Sequence, residues 1–452
     1  MVPRLYPKAL INNALGLGNT LIEKEGWVLN PVLFFILVYM ELQQILIIAG
    51  FALFFIGVQS VTIFGCYQSF RSLRNKNILK IVLGWVLFLN LAYLFLFFRV
   101  PLAPPFKMLI NYLLIYPFFI YMLLCLILFV VFRINSMVIA GKTLWCRVWP
   151  VIRLTNGLNT KTIPEQRRTF LKILTSAVLF PVGGCTVYGC YVGRTICSIN
   201  EQCLAFAQFP EHLNGLRIIQ ISDIHAGVFM EGWELQPYLN TVNALQPDII
   251  VITGDMITWG SNYTETVVAE LSRLQARYGI FVVTGNHDFY GNLDDLCARL
   301  EAINITVLRN RWVQIATGQQ SSGIYMIGID DLWATRYFKK KTIVLEEILS
   351  GIPCDGFKIL LSHNPTIFEQ AITHNVHLTL SGHTHAGQVI LPFPQHHGYS
   401  FARLIYKKDY GLYRNKDSIL YINRGLGVIG PPLRINCPRE ITHITLQRSC
   451  KI

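Results

Sequence analysis

The first 200 residues of this 452-residue chain contain no histidine, although the chain has eleven. They are also poor in acid, because residues 1–199 carry 18 Lys and Arg against 4 Asp and Glu, a net charge of +14. Residues 200–452 carry 21 against 22 and are close to neutral. A centre built from imidazole and carboxylate groups is therefore excluded from the first part of the chain, and the two parts have different tasks.

The eleven cysteines show no CxxC spacing, which argues against a zinc finger and against a thioredoxin-like redox motif. Cys197 and Cys203 flank a short polar stretch. In an oxidising compartment they could close a small disulfide loop, and two free thiols are at least as good an interpretation. The basic charge lies in short loops between apolar runs, where it sets membrane orientation, so no nucleic-acid partner is expected.

The chain is too apolar for a soluble protein of its length, with 52% hydrophobic residues and a mean hydropathy of +0.42. Four segments have the length and composition of transmembrane helices: residues 45–66, 81–98, 108–132 and about 171–191. Residues 28–40 are apolar but short, so they could be a fifth span, a re-entrant segment or an interfacial helix. We predict a membrane domain over residues 1–192, a linker over 193–210 and a catalytic domain over 211–452.

The loops between these segments predict their orientation. One loop carries Arg71, Arg74, Lys76 and Lys80, and another carries Arg133, Lys142, Arg147, Arg153, Lys161, Arg167 and Arg168. The loop between them has Arg99 and Lys107 alone. Because cytoplasmic loops are enriched in Lys and Arg, the two rich loops should be cytoplasmic. The last span then carries the catalytic domain out of the cytoplasm, beside membrane lipids.

The sequence pattern of the second part of the chain predicts an α/β fold. Five apolar strands are expected at residues 216–222, 249–253, 280–284, 358–362 and 378–381, with helices near 233–245 and 264–276 between the first three. Strand, helix and strand in alternation predict parallel neighbours, whose carboxyl ends meet at one edge of a sheet. Each of the five strands is followed at once by residues of metal-ligand type.

Those residues are Asp223, His225, Asp255, Asn286, His287, Asp288, His363, His383 and His385. Carboxylate and imidazole groups suit Mn, Fe or Zn, and a carboxylate placed between two ions can bridge them. Two such ions can activate a water and stabilise the attacking and leaving oxygens of an in-line displacement. The pattern therefore predicts two divalent metal ions and hydrolysis of a phosphoester.

In this order the motifs resemble the calcineurin-like metallophosphoesterase superfamily, over about residues 165–452. Residues 380–388 and 425–441 resemble its membrane-anchored YkuE/YaeI-like branch, although His377 and Arg439 stand where relatives often carry Asp and Pro. The resemblance implies a four-layer α-β-β-α sandwich. By motif, it implies Asp223, His225 and His385 on the first metal, Asn286, His363 and His383 on the second, and Asp255 bridging. It leaves His287 as the acid for the leaving oxygen, with Asp288 orienting its ring.

The leading hypothesis is a membrane-anchored metal-dependent phosphoesterase that cleaves phosphodiesters or phosphomonoesters. Membrane tethering favours a membrane-proximal or lipid-linked substrate, and an alternative within that class is a pyrophosphatase of the UDP-diacylglucosamine type. A different class of hypothesis is a membrane sensor or scaffold that uses the fold without catalysis. Residues 393–414, rich in aromatic and basic side chains, could form a substrate lip or an ordinary hairpin.

Overall fold

A computed structural model describes residues 55–64, 66–67, 75–98, 104–148, 165–317, 323–338, 344–392 and 398–449. The chain divides into two compact units, Met1–Ile63 and Phe64–Ile452. The described residues of the first unit begin a short apolar helix, Phe55–Phe64, inside the predicted span 45–66. The apolar segment 28–40 lies outside the described residues.

The second unit begins with helices. These are α1 (Lys76–Phe98), α2 (Pro104–Ile110), α3 (Tyr116–Val148) and α4 (Glu165–Tyr191), and a π-helical stretch, Asn111–Ile115, joins α2 to α3. Within the described ranges, one helical segment, Phe106–Ile134, is long and apolar enough to cross a membrane.

This finding supports the predicted span 108–132 alone, so a multi-span membrane region is not supported. Helices α1 and α4 contain the predicted spans 81–98 and 171–191, but a helical backbone by itself does not make a segment a membrane span, since its apolar length and surroundings decide that.

Helix α4 ends beside the start of the candidate span. The Tyr191 hydroxyl donates a hydrogen bond of 2.6 Å to the Tyr112 carbonyl oxygen, and the Tyr191 ring meets the Tyr116 ring edge to face with centroids 5.5 Å apart. Further along, Gly183 of α4 faces Leu124 of α3. The two helices therefore run antiparallel, and the chain leaves α4 at the end of the helix pair that carries Lys107.

The rest of the unit contains fourteen strands among the described residues. They are β1 (Cys197–Phe206), β2 (Leu216–Ile221), β3 (Ile249–Thr253), β4 (Ile280–Val283), β5 (Ile305–Val307), β6 (Arg311–Gln314), β7 (Ile324–Gly328), β8 (Phe357–Leu361), β9 (Leu378–Ser381), β10 (Ile390–Leu391), β11 (Tyr399–Ser400), β12 (Gly411–Asn415), β13 (Ser418–Ile422) and β14 (Arg439–Arg448). One six-stranded sheet has the order β1-β14-β2-β3-β4-β5, and the other has the order β12-β13-β9-β8-β7-β6. Strands β10 and β11 form a small separate ribbon.

Six shorter helices follow: α5 (Gly232–Ala244), α6 (Thr264–Leu271), α7 (Leu293–Ala302), α8 (Leu332–Tyr337), α9 (Leu345–Leu349) and α10 (Phe368–Thr373). One buried apolar cluster joins the facing sides of the two large sheets. A second packs α5, α6 and α7 on the outer side of the first sheet, and a third packs α9 and α10 on the outer side of the second. The layers are therefore α-β-β-α, as expected from the sequence, and strands such as β3 are buried along their whole length because both faces are covered.

The segment predicted as a linker contains a strand. All ten residues of β1 pair in parallel with β14, from Cys197 beside Arg439 to Phe206 beside Arg448. Cys197 and Cys203 are six residues apart on this strand, about 20 Å by the rise of an extended chain. That separation exceeds the Cα distance a disulfide can bridge, so the two thiols are free.

Candidate metal centre

The carboxyl ends of β2, β3, β4, β8 and β9 deliver the candidate ligands, because these strands run parallel within their sheets as predicted. The backbone turns sharply at each end. Asp223, His225, Asp255, His383 and His385 all have positive φ, between 49° and 73°. Non-glycine residues rarely adopt this conformation, and such strain concentrates at functional sites where the surrounding structure imposes it.

The first ligand cluster consists of Asp223, His225 and His385, all buried. The His385 Nε2 atom lies 3.2 Å from Asp223 Oδ1 and 3.1 Å from His225 Nε2. The two imidazoles are nearly parallel, with centroids 5.0 Å apart. The Nδ1 atoms of both histidines are buried and have no hydrogen-bond partner in the described part of the chain.

The second ligand cluster consists of Asp255, His363 and His383. The His363 Nε2 atom lies 3.1 Å from Asp255 Oδ2 and 3.1 Å from His383 Nδ1. The Asn286 Oδ1 atom is buried and unpartnered among the described residues. Asp255 also reaches the first cluster, since its Oδ2 atom lies 3.5 Å from His225 Nε2. One carboxylate thus lies between the two clusters.

These distances fit a divalent cation in each cluster. Ligand bonds of about 2.0–2.2 Å at ordinary angles place neighbouring donor atoms about 3–3.5 Å apart. Burying imidazole nitrogens that face each other costs free energy unless a cation lies between them. The same holds for a buried amide oxygen that has no hydrogen-bond donor. Both carboxylates also accept a backbone hydrogen bond: Asp223 accepts the His383 N–H at 3.0 Å, and Asp255 accepts the His287 N–H at 2.8 Å.

Glycines allow the ligand loops to pack this closely. A Cβ atom added to Gly285 would lie 2.1 Å from Asp255 Oδ1, and one added to Gly382 would lie 2.2 Å from Asp223 Oδ2. A Cβ atom on Gly425, where φ is +79°, would lie 2.7 Å from the Asp223 Cβ atom. Any side chain at these three positions would displace a ligand.

The centre carries negative charge. Burial alone would raise the pKa of Asp223, but His385 and His363 outweigh it and hold the pKa below its usual range. Burial is likewise outweighed at Asp255, whose pKa lies well below its usual range because of His363 and His225. Burial would lower the pKa of His363, yet Asp255 and Asp223 raise it well above 6.5. Two ionised carboxylates attract a cation, and a cation that binds here must displace the His363 proton.

His287 lies at the edge of the first cluster, 4.8 Å from His225 between ring centroids. Its Nδ1 atom is 2.6 Å from the Thr258 carbonyl oxygen, so Nδ1 carries a proton and Nε2 is left for the site. The Thr258 carbonyl, which no sequence pattern indicated, therefore orients this ring.

Asp288 does not orient His287, contrary to the expectation from the resemblance. Its carboxylate accepts hydrogen bonds from four backbone N–H groups, those of Asp255, Met256, Ile257 and Gly285, at 2.8–3.2 Å. Burial and the negative charge of Asp255 raise the pKa of Asp288 to about 7 despite these bonds. Asp288 thus holds the loops after β3 and β4 together beneath the centre, and its oxygens point away from the His287 ring because the backbone amides occupy them.

Two further residues support the clusters and were not assigned to the centre from the sequence. The Tyr406 hydroxyl lies 2.8 Å from His383 Nε2, on the side of the ring opposite His363. Arg434 is fully buried. Its guanidinium donates to the backbone carbonyls of Arg424, Gly425 and Gly427 at 2.6–2.9 Å. Tyr406 falls in the aromatic stretch 393–414, which was the signal for it, whereas a buried arginine has no signal in a single sequence.

The chain is similar in sequence to known metallophosphoesterases. A sequence model of the calcineurin-like phosphoesterase family matches residues 216–387. The chain is 30% identical over 375 residues to a transmembrane protein with metallophosphoesterase domain from Danio rerio, covering 82% of this chain and 80% of that protein. It is 32% identical over 292 residues to the uncharacterized metallophosphoesterase YkuE of Bacillus subtilis (strain 168), covering 62% and 97%. Among solved structures, a 5′-nucleotidase precursor from Thermus thermophilus aligns with a TM-score of 0.30 at 14% identity, over 52% of this chain and 54% of that one.

The chain therefore belongs to the calcineurin-like metallophosphoesterase family, whose members are hydrolases that act on phosphoric esters.

Proposed function

We propose that this chain is a membrane-anchored phosphoesterase with two divalent metal ions, of Mn, Fe or Zn, and that it hydrolyses phosphodiesters or phosphomonoesters. Asp223, His225 and His385 would hold one ion, Asn286, His363 and His383 the other, and Asp255 would bridge. The position of the Asp255 carboxylate, 3.1 Å from His363 Nε2 and 3.5 Å from His225 Nε2, carries this proposal. When bound, the ions would polarise the phosphoryl group and make a water molecule acidic enough to attack it near neutral pH.

The proposed work of the protein residues follows from their contacts. His287 has its Nδ1 proton fixed on the Thr258 carbonyl, so Nε2 faces the site, and in the doubly protonated imidazolium form the ring would give its Nε2 proton to the departing ester oxygen and return to the neutral form. His363 is held in the same way, with its Nδ1 atom 2.8 Å from the Thr253 carbonyl oxygen. This bond keeps a proton on Nδ1 and turns Nε2 toward Asp255, so Nε2 is the nitrogen that would give up its proton to a metal ion.

Contacts between the catalytic region and the candidate span support the membrane anchor. The Asn111 side-chain amide donates to the Val228 carbonyl oxygen at 3.0 Å, and the Phe229 ring lies 6.0 Å from the rings of Tyr116 and Phe119. Val228 is three residues beyond the candidate ligand His225. The metal centre would thus sit close to the membrane surface, where a lipid-linked phosphoester is the natural substrate.

The end of the span that meets the catalytic region supports an extracytoplasmic location. That end carries Lys107, whereas the opposite end runs into Arg133 and the basic loop that should be cytoplasmic. Cys203 provides the test, because it is exposed on β1. An impermeant thiol reagent added to intact cells should label Cys203. Labelling that appears only after the cells are opened would place the catalytic region in the cytoplasm.

The catalytic proposal is tested on the full chain in detergent, loaded with Mn, against phosphomonoesters, phosphodiesters and lipid-linked pyrophosphates. Asp255→Asn should remove the bridging charge and lower turnover on the order of 10³-fold or more, and chelation of the metal should have the same effect. Asp355→Asn, at an exposed carboxylate before β8, is the matched control. Full activity of Asp255→Asn contradicts the proposal. Bound metal without hydrolysis of any ester would favour a sensor or scaffold.

A further inference from the structure

An exposed aromatic surface adjoins the metal centre. It consists of Trp259, Tyr290, Trp333, Tyr337 and Phe338. Tyr290 lies 5.5 Å from His287 and stacks on Trp259 at 4.3 Å between ring centroids. Trp333 stacks on Tyr337 at 4.8 Å, and Tyr290 lies 6.4 Å from Trp333 and 6.1 Å from Phe338. Trp259 is 46% exposed and Tyr337 is 62% exposed. These large rings therefore face outward and are not buried against protein.

The loop that carries Trp259 also contacts the start of the candidate span. Four residues after Trp259, the Tyr263 hydroxyl lies 3.1 Å from a Glu231 carboxylate oxygen. Lys107 pairs with that carboxylate at 3.0 Å and lies over the Tyr263 ring, 5.8 Å from its centroid. Four extended residues reach at most about 14 Å. The aromatic surface is therefore within about one loop length of the point where the apolar helix begins.

The start of that helix carries exposed apolar residues. Phe106 is 62% exposed, and Met108 and Leu109 are exposed beside it. Lys107, between them, turns its ammonium group to Glu231 at the catalytic region. Side chains take this arrangement at the boundary between hydrocarbon and water: apolar groups are exposed, and the charged head of a neighbouring lysine turns away from them.

Tryptophan and tyrosine are the residues that collect at this boundary, because their rings are apolar and their N–H or O–H groups remain wet. An exposed patch of large rings next to a polar site is unusual on a soluble surface. We propose that the aromatic surface lies on the lipid bilayer that holds the helices, so that the metal centre opens toward the lipid headgroups.

This inference rests on the proposed function and deepens it. A metal centre that opens toward the bilayer surface can bind phosphoesters whose headgroup is in water while their acyl chains stay in the membrane. At the second cluster, Leu404 and Ile405 are 73% and 81% exposed, and they directly precede Tyr406, which contacts His383. The substrate class is then a phosphoester of a membrane lipid, taken without extraction from the bilayer.

The first test measures contact with lipid and needs no activity. The full chain is reconstituted, without metal, in vesicles whose phospholipids carry bromine near the headgroup end of the acyl chain. Bromine quenches tryptophan on contact. The double variant Trp259→Phe, Trp333→Phe removes two of the eight tryptophans, and the fraction of fluorescence quenched should fall by about a quarter or more.

The matched control for this test is Trp312→Phe. Trp312 lies on β6, at the far edge of the second sheet, and its indole N–H donates to the Ser350 carbonyl oxygen at 3.2 Å. Its removal should not lower the quenched fraction. A quenched fraction in the double variant that is no lower than in the unaltered chain would overturn the inference, whether or not the protein proves to be an enzyme.

The second test separates the inference from the proposed function. Trp333→Asp, Tyr337→Asp places two charges on the aromatic surface, away from the metal ligands. The ratio of hydrolysis of a phospholipid in vesicles to hydrolysis of a soluble chromogenic diester should fall about tenfold. An unchanged ratio contradicts lipid docking while leaving the phosphoesterase proposal intact. If the unaltered chain hydrolyses neither ester, the phosphoesterase proposal fails and the quenching result alone decides the inference.

Discussion

The histidines of the two ligand clusters are supported by different means. Behind the first cluster, the loop at Gly425 and Gly427 packs directly on Asp223, and the Gly427 backbone N–H donates to the Asp223 carbonyl oxygen at 2.6 Å. The outer nitrogens of its two histidines have no partner among the described residues. In the second cluster each histidine has an outer partner, the Thr253 carbonyl for His363 and the Tyr406 hydroxyl for His383.

This difference has a physical consequence for each site. Packing fixes ligands through hard contacts, so the first cluster should tolerate no added atoms and should respond sharply to changes in the loop behind it. Hydrogen bonds fix ring orientation and basicity, so the second cluster should lose affinity gradually when an outer partner is removed. The second cluster is also the one whose support, Tyr406, belongs to a partly exposed segment that carries Leu404 and Ile405.

The largest effect is expected from Gly425→Ala. The new methyl group would lie 2.7 Å from the Asp223 Cβ atom and 3.2 Å from His385 Nδ1, so one of the first-cluster ligands must move. We expect one of two metal equivalents to bind about 100-fold more weakly or worse. Metal analysis and titration with Mn measure this.

Gly430→Ala is the matched control for that variant. Gly430 lies in the same loop with a similar φ of +66°, but a Cβ atom there meets nothing within 4 Å. Both variants carry the same backbone strain of about 1–2 kcal/mol. If Gly430→Ala weakens metal binding as much as Gly425→Ala, strain and not ligand displacement is responsible, and the first cluster is not held by packing.

Arg434→Met should give the next largest effect. The side chain is 0% exposed and none of the acidic side chains in the described structure pairs with it. Its hydrogen-bond acceptors are backbone carbonyls, together with the Cys437 Sγ atom at 3.7 Å. Methionine would leave those carbonyls buried and unsatisfied, at a cost of about 3–5 kcal/mol in folding free energy. The melting temperature should fall and the first metal equivalent should be lost before the second. Arg414→Met, at an exposed arginine on β12, should change neither quantity.

Much of this centre could be predicted from the sequence, because parallel strands place their carboxyl ends at one edge and every ligand follows a strand directly. The groups that hold the ligands in place could not be predicted. Thr258 acts through a backbone carbonyl, which any residue type supplies, and the strand β1 is recognisable only by its pairing with β14, more than 200 residues later. Asp288 has the residue type of an orienting carboxylate, and only the four amides around it reveal its structural task.

A smaller effect is expected from Tyr406→Phe. This change removes the hydroxyl 2.8 Å from His383 Nε2 and leaves the ring in place. Loss of such an outer partner weakens metal binding by about 10–100-fold. The metal ion of the second cluster should bind more weakly, and binding of the metal ion of the first cluster should not change. Tyr410→Phe is the control, since Tyr410 packs beside Ala386, Ile390 and Cys437 and not on a ligand histidine. Equal weakening of both equivalents by Tyr406→Phe would mean that the clusters are not independently supported.

The smallest effect on the metal centre is expected from His377, whose titration changes the stability of the fold far from the ligands. His377 is buried at the end of β8 farthest from the centre, where its Nδ1 atom accepts the Lys358 backbone N–H at 3.0 Å and its Nε2–H donates to Gln208. Burial, and then the positive charge of Lys358, lower its pKa to about 4 from 6.5.

Because the folded protein binds this proton less readily than the unfolded chain, the stabilisation is complete above about pH 6.5 and is lost as the pH falls toward 4. The shift corresponds to at most about 3 kcal/mol. His377→Asn should flatten the dependence of unfolding free energy on pH between these values, measured by denaturant titration of the metal-free chain in detergent. If the dependence persists unchanged in the variant, His377 is not its cause.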